Sequence, residues 1–348
     1  MTTIISSKRS FFFPEIVATC LIAVVAIGAV PLVGSDYLMD AVLTPFLALA
    51  LAAVGLNLLT GYAGQVSLGS AAFLAVGAYA AYNFSLRLPA LPLLLDLVLA
   101  GTIAAAVGIM FGLPSLRLRG FYLAVSTLAA QFFVQWALTK FGWFSNDNPS
   151  GVIDAPVLRI GSVTFTSAAG RYLFSLGVVT VATLLTLRLL RSQTGRNFIA
   201  VRDHEVAAKV IGVPVLRTKL LAFGLSSFLI GVAGVLWAFA YLRTVEPAGF
   251  NLDRSFQILF IIIIGGLASL RGAFVGAAFI VVFPLLLSRV GAALLGSLFD
   301  SGVLEMSQRI VIGTLIITFL IAEPRGLIAL WDRGWARLRA ASGKAIET

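Results

Sequence analysis

Apolar runs of about 20 residues recur along almost the whole chain, separated by short polar or glycine-rich breaks. A helix of that length covers the roughly 30 Å hydrocarbon core of a bilayer, where irregular backbone cannot find hydrogen-bond partners in lipid. The runs predict spans near 15–33, 37–60, 71–86, 90–113, 121–139, 171–189, 219–242, 255–267, 273–289 and 305–322. The eighth and ninth are short enough to be half-helices. This is the pattern of an all-α polytopic membrane protein, with about ten transmembrane helices in a single domain over residues 1–348.

The polar remainder is small. Lys140–Gly170, Arg188–Arg217 and Glu323–Thr348 are the longest stretches without an apolar run. None can house a soluble domain of about 100 residues. Composition agrees: 59% of residues are hydrophobic, 11% are charged, and the mean hydropathy is +1.01. The net charge of +10 is explained by where the basic residues fall, so it does not call for nucleic acid. Lys8 and Arg9, Arg117 and Arg119, the cluster from Arg188 to Lys219, and the basic tail 323–348 are each separated by an even number of crossings. All can face the cytoplasm, which puts both termini inside and Asp36, Asp40, Asp147, Asp154 and Asp300 outside. The run from Ile16 to Val33 is too long for a signal-peptide core and reads as a retained first span. The five tryptophans suit the interfacial level, Trp136, Trp143 and Trp237 at the outer side, Trp331 and Trp335 after the last span.

Candidate chemistry is sparse. Cys20 is the only cysteine and His204 the only histidine, so disulfides, cysteine-rich metal sites and histidine acid–base catalysis within the membrane have nothing to build on. No G-x-x-x-x-G-K-[ST] occurs, so ATP hydrolysis by that route would belong to another polypeptide.

Three segments stand out. Asn57-Leu-Leu-Thr-Gly61-Tyr-Ala-Gly64-Gln65-Val-Ser67-Leu-Gly69-Ser70 breaks a span boundary with glycine and small polar residues. Ile264-Gly265-Gly266-Leu-Ala-Ser269-Leu-Arg271-Gly272 does the same between two short apolar runs, and Ser67-Leu68 and Ser269-Leu270 hint at an internal repeat. Paired broken helices line translocation routes, whereas small residues also allow tight helix packing; periodicity leaves both open. The third segment, 190–218, predicts a short helix from Arg196 to Ile211 with Arg202, Glu205 and Lys209 on one face and Ala200, Ala207, Ala208 and Ile211 on the other. Gly212 stops it and Pro214 prevents its continuing. Such a helix can dock into a cleft of a cytoplasmic partner or be a solvated connector.

Four stretches together resemble the permease subunit of branched-chain amino acid ABC importers, the LivM type: NLLTGYAGQVSLGSAAFLAVGAYAA, LPSLRLRGFYLAVSTLA, TGRNFIAVRDHEVAAKVIGVPVLRTKLLAFGLSSFLIGVAGVLWA and SFQILFIIIIGGLASLRGAFVGA, in that order from Asn57 to Ala277. Ser70 and Phe121 depart from residues common in that family. The resemblance implies a type II importer fold in the bacterial inner membrane. It also implies that Glu205, Ala207, Ala208 and Gly212 couple the chain to a cytoplasmic ATPase. Flexible backbone with uncharged polar groups in the two breaks makes Gly61, Gly64, Gln65, Ser67, Gly69, Gly265, Gly266, Ser269 and Gly272 the expected lining of the translocation path. The expected partners are a second, related permease chain, two ATP-binding subunits and an extracytoplasmic binding protein. ATP is used by those subunits, and no cofactor or metal is expected on this chain.

Other readings remain. The same superfamily carries urea, short amides and other small polar solutes. An ion-coupled carrier would place acids deep in the bundle, and Asp40 and Asp96 are the nearest candidates, both toward span ends. A membrane-embedded enzyme lacks a nucleophile, acid–base pair or metal cluster to work with.

Overall fold

The structure is a computed structural model that describes residues 31, 34–115, 121–148, 152–160 and 163–295, with short pieces between 306 and 328. Its helices are α1 (Leu38–Tyr62), α2 (Ser70–Arg87), α3 (Leu93–Ser115), α4 (Phe121–Lys140), α5 (Ala168–Arg191), α6 (Gln193–Asp203), α7 (Glu205–Val210), α8 (Val215–Leu242), α9 (Leu252–Gly265) and α10 (Leu270–Leu295). Among the described residues six helices are long and apolar enough to cross a membrane. The expected first span at 15–33 and most of the last at 305–322 lie outside the described residues. The spans expected at 71–86 and 121–139 do form helices, α2 and α4.

The eighth and ninth expected spans differ from each other. The α-helical part of α9 has 14 residues, about 21 Å at 1.5 Å per residue, and only together with the 3₁₀ turn at Pro247–Phe250 does it reach the 19 residues that make it one of the six. α10 has 26 residues and is full length, with Pro284 inside it.

A helix that is apolar all round can be stable only where protein surrounds it or lipid does. α1 and α8 take the first course and form the centre: nearly every residue of Thr44–Asn57 and of Phe223–Ala240 is buried. Small residues permit their close approach to neighbours. A Cβ on Gly77 would stand 2.1 Å from the Gly231 carbonyl oxygen, and one on Gly234 would stand 2.0 Å from that of Leu74. These contacts seat α8 against α2. α3 closes on α8 in the same way, Gly108 lying against the Ser227 hydroxyl.

Both central helices contain π-helical turns, Leu38–Leu43 and Leu58–Tyr62 in α1 and Leu236–Leu242 in α8. The polar segment between α4 and α5 holds structure that periodicity did not predict: strands β1 (Ile153–Asp154), β2 (Arg159–Ile160) and β3 (Val163–Thr164). β1 pairs antiparallel with β4 (Thr244–Val245), which follows α8, so the two connecting segments meet at one end of the bundle. At that end Arg171 of α5 forms an ion pair with Asp40 of α1 at 2.6 Å.

Candidate functional site

The 190–218 segment folds as two helices, not the single one expected. His204 adopts an extended conformation (φ −150°, ψ 90°) and separates α6 from α7. α6 is held by its apolar face, Phe198 packing fully buried among Leu58, Leu59, Ala63 and Phe223. Gly212, at φ +87°, ends α7 in the left-handed region open to glycine, and the Val213 N–H then reaches the Ala208 carbonyl at 2.9 Å. Ala208 faces inward and is 1% exposed, while Ala207 is exposed. The outward apolar face consists of Val206, Val210 and Ile211, each more than 70% exposed.

The His204 break changes which way the charged residues face. Arg202 turns back toward the bundle and donates from Nη1 to the Gly61 carbonyl at 2.9 Å. Its side chain lies over Gly64, which has φ +70° and whose Cβ would stand 2.7 Å from the Arg202 Cγ. Glu205 pairs with Lys219 of α8 at 2.9 Å, and the Lys219 carbonyl accepts from Gln65 Nε2 at 3.4 Å. Two connections therefore run from the 190–218 segment into the first helix break.

The two breaks touch. Asn57, fully buried in α1, donates from Nδ2 to the Ser269 carbonyl at 2.8 Å and accepts the Ala268 N–H on Oδ1 at 2.9 Å. A Cβ on Gly61 would stand 2.1 Å from that Asn57 oxygen and 2.4 Å from the Ala268 nitrogen. Each break contains a glycine at positive φ, Gly64 at +70° and Gly266 at +120°. Gly265 and Gly272 face one another across the α9–α10 turn, with a Gly265 Cβ position 1.9 Å from the Gly272 oxygen. Packing alone is enough to require glycine at those two positions. Ser67 and Ser269 accept from the N–H groups of Gly69 (3.3 Å) and Gly272 (3.1 Å), so both hydroxyls hold backbone turns.

The family model for the branched-chain amino acid transport system / permease component matches residues 38–320. The chain belongs to this family. The permease is 30% identical over 302 residues to the high-affinity branched-chain amino acid transport system permease protein LivM of Escherichia coli K12, covering 80% of this chain and 67% of that one. A probable branched-chain amino acid transport permease LivM of Methanocaldococcus jannaschii is 25% identical over 246 residues, 68% of each chain. The L-arabinose transport system permease AraH of Escherichia coli K12 is 32% identical over 118 residues, only 33% of this chain and 35% of that one.

Sequence reading of the permease missed the polar anchor behind the first break. Gln131 of α4 accepts the Ala72 N–H at 2.5 Å and donates to the Phe250 carbonyl at 2.9 Å. Ser255 of α9 accepts the Ala71 N–H at 2.8 Å, and Thr127 accepts that of Leu68 at 2.9 Å. These side chains serve the N–H groups at and just before the start of α2, that of Ala72 also reaching the Gly69 carbonyl at 3.1 Å, as burial in a membrane protein demands. A glutamine in an apolar helix was the available signal. Trp237, expected at the interface, is 4% exposed and buried. Among the acids, Asp40 is paired with Arg171, and Asp96 accepts from the Ser85 hydroxyl at 3.2 Å. An apolar groove of about 610 Å³ between α3, α5 and α8, lined by Leu97, Val181, Leu225 and Phe228 among others, has nothing to hold a zwitterion and lies apart from the breaks.

Proposed function

We propose that the permease is the membrane-spanning subunit of an ATP-driven importer for branched-chain amino acids, built on a type II importer fold with both termini cytoplasmic. A second, related permease chain completes the channel, two cytoplasmic ATPases drive it, and an extracytoplasmic protein delivers the cargo. The ATPase receives α7 through Val206, Ala207, Val210 and Ile211. Ala208 and Gly212 shape that helix from behind, and Glu205 ties it to α8.

The observation that carries this reading is the bond from Arg202 to the Gly61 carbonyl. A displaced α6–α7 pair pulls directly on the first break. Asn57 passes the movement to Ala268 and Ser269 in the second break. The substrate class rests on likeness: LivM proteins match across most of the chain, whereas the arabinose permease matches across a third of it.

The test is uptake of radiolabelled L-leucine by the reconstituted complex of permeases, ATPases and binding protein. Arg202→Ala should leave assembly and ATP hydrolysis in place while lowering leucine taken up per ATP by about tenfold or more, since a charged hydrogen bond contributes about 1.5–3 kcal/mol. An unchanged transport ratio would refute the coupling route. Uptake of L-arabinose or urea in preference to L-leucine would refute the substrate class.

A further inference from the structure

Arg254 occupies the first turn of α9, where Asn251 caps the helix by accepting the Arg254 backbone N–H at 3.1 Å. Its guanidinium lies over the Trp237 ring, 4.2 Å from the centroid, and Nη1 donates to Gln257. Two buried polar atoms here have no hydrogen-bond partner: Arg254 Nε and the Trp237 indole N–H. Trp237 is 4% exposed. Tyr241 lies tilted at 55° against Trp237 with centroids 4.7 Å apart, completing an aromatic wall on the π-helical turn of α8. Among the described residues no acidic side chain forms an ion pair with Arg254, although Asp253 is near enough to act on it electrostatically.

A guanidinium half withdrawn from water without a counter-ion is costly, and in a membrane protein such a residue marks a place where a partner arrives. Its terminal nitrogens lead the approach to a carboxylate, and Nε, unpartnered but closed from solvent, completes the planar fork once the side chain turns toward the ligand. The positive end of α9 adds to the attraction. The site follows β4, which pairs with the strand β1 of the α4–α5 segment, so it lies toward the end of the bundle opposite α6 and α7. In the proposed orientation that is the face to which cargo is delivered.

We propose that Arg254, with Trp237 beneath it, receives the carboxylate of the amino acid as it enters the permease. The inference rests on the amino-acid reading above and names the residue that catches the cargo.

In proteoliposomes holding the complete transporter, Arg254→Gln should lower the maximal rate of L-leucine uptake by about tenfold or more. The KM, set by the binding protein, should change little. Arg254→Lys keeps the charge without the fork and should recover part of the rate. A wild-type rate in Arg254→Gln overturns the proposal, as does loss of the second permease chain on co-purification, which would make Arg254 a counter-ion at the subunit interface. Tryptophan emission supplies a direct reading in the complex without binding protein. Millimolar L-leucine should change the signal by an amount that disappears in Trp237→Phe, and L-leucinamide, which lacks the carboxylate, should not. Equal responses to the two compounds, or none to either, also overturn it. Failure of the wild-type complex to carry L-leucine would instead remove the reading on which the inference stands.

Discussion

At the scale of single residues, Asn57 does the most with the least. It sits where the π-helical turn of α1 begins, fixes the Ala268 N–H, and adds a second donor to the Ser269 carbonyl, which also accepts the Ala273 N–H at 3.2 Å. Ala268 has φ +56°, a conformation that non-glycine residues hold only when surroundings impose it. Asn57→Asp keeps an acceptor for the Ala268 N–H but places an oxygen against the Ser269 carbonyl. It should lower the thermal midpoint of the purified complex and abolish uptake, whereas Asn57→Leu, leaving the Ala268 N–H unpaired, should cost about 1–3 kcal/mol. A melting temperature unchanged in both variants would show that the clamp is not needed. Little of this was legible in the sequence. Asn57 stood in the motif, but its partners lie more than 200 residues away. Arg202 was assigned by helical spacing to one charged face with Glu205 and Lys209. A single extended residue, His204, splits that helix in two, and no local pattern announced it. Trp237 was placed at the interface by the habit of its side chain, and the arginine that covers it comes from another element.

At the scale of elements, both helix breaks and the stop at Gly212 were legible, because glycine and proline act locally. Positive φ at Gly64, Gly212 and Gly266 bears out the residue choice at each. Which surface of the 190–218 segment is free was not legible, because it depends on how that segment lies against α1 and α8. The consequence is a separation of two substitutions that look alike in sequence. Ala208→Trp forces an indole into a closed interior and should impair folding of the segment, read as reduced yield and a lowered melting temperature. Val210→Glu changes a residue that is 81% exposed. It should leave the permease as stable as before while weakening its pull-down of the ATPase by about tenfold or more, since it places an unpaired charge in an apolar contact. Normal pull-down with Val210→Glu would show that α7 is a solvated connector. The span pattern has a similar limit: α9 and α10 read as two short runs, yet α10 is a continuous helix of 26 residues and α9 reaches 19 only with the 3₁₀ turn before it. Only the packing of Gly265 against Gly272 shows where the turn between them closes.

At the scale of the whole molecule, the structure fixes which segments share an end, and charge then assigns that end to a side. The α4–α5 segment meets β4 through β1, so the stretches around Asp154 and Val245 lie together. α5 has 24 residues, about 36 Å of helix, and carries the chain from that end to Gln193 at the other. Arg191, Arg196, Lys209 and Arg217 gather at the Gln193 end, which the proposed orientation, resting on retention of lysine and arginine in the cytoplasm, puts inside. The two ends can be told apart in intact cells. With Cys20 replaced by alanine, Gln193→Cys should resist a membrane-impermeant maleimide until the cells are opened, and Asp154→Cys should react at once. Both positions are exposed, so a lack of reaction cannot be blamed on burial. Labelling of Gln193→Cys in intact cells, with Asp154→Cys protected, would invert the protein. It would put the Arg202–Gly61 bond out of reach of any cytoplasmic ATPase and remove the proposed drive along with the topology.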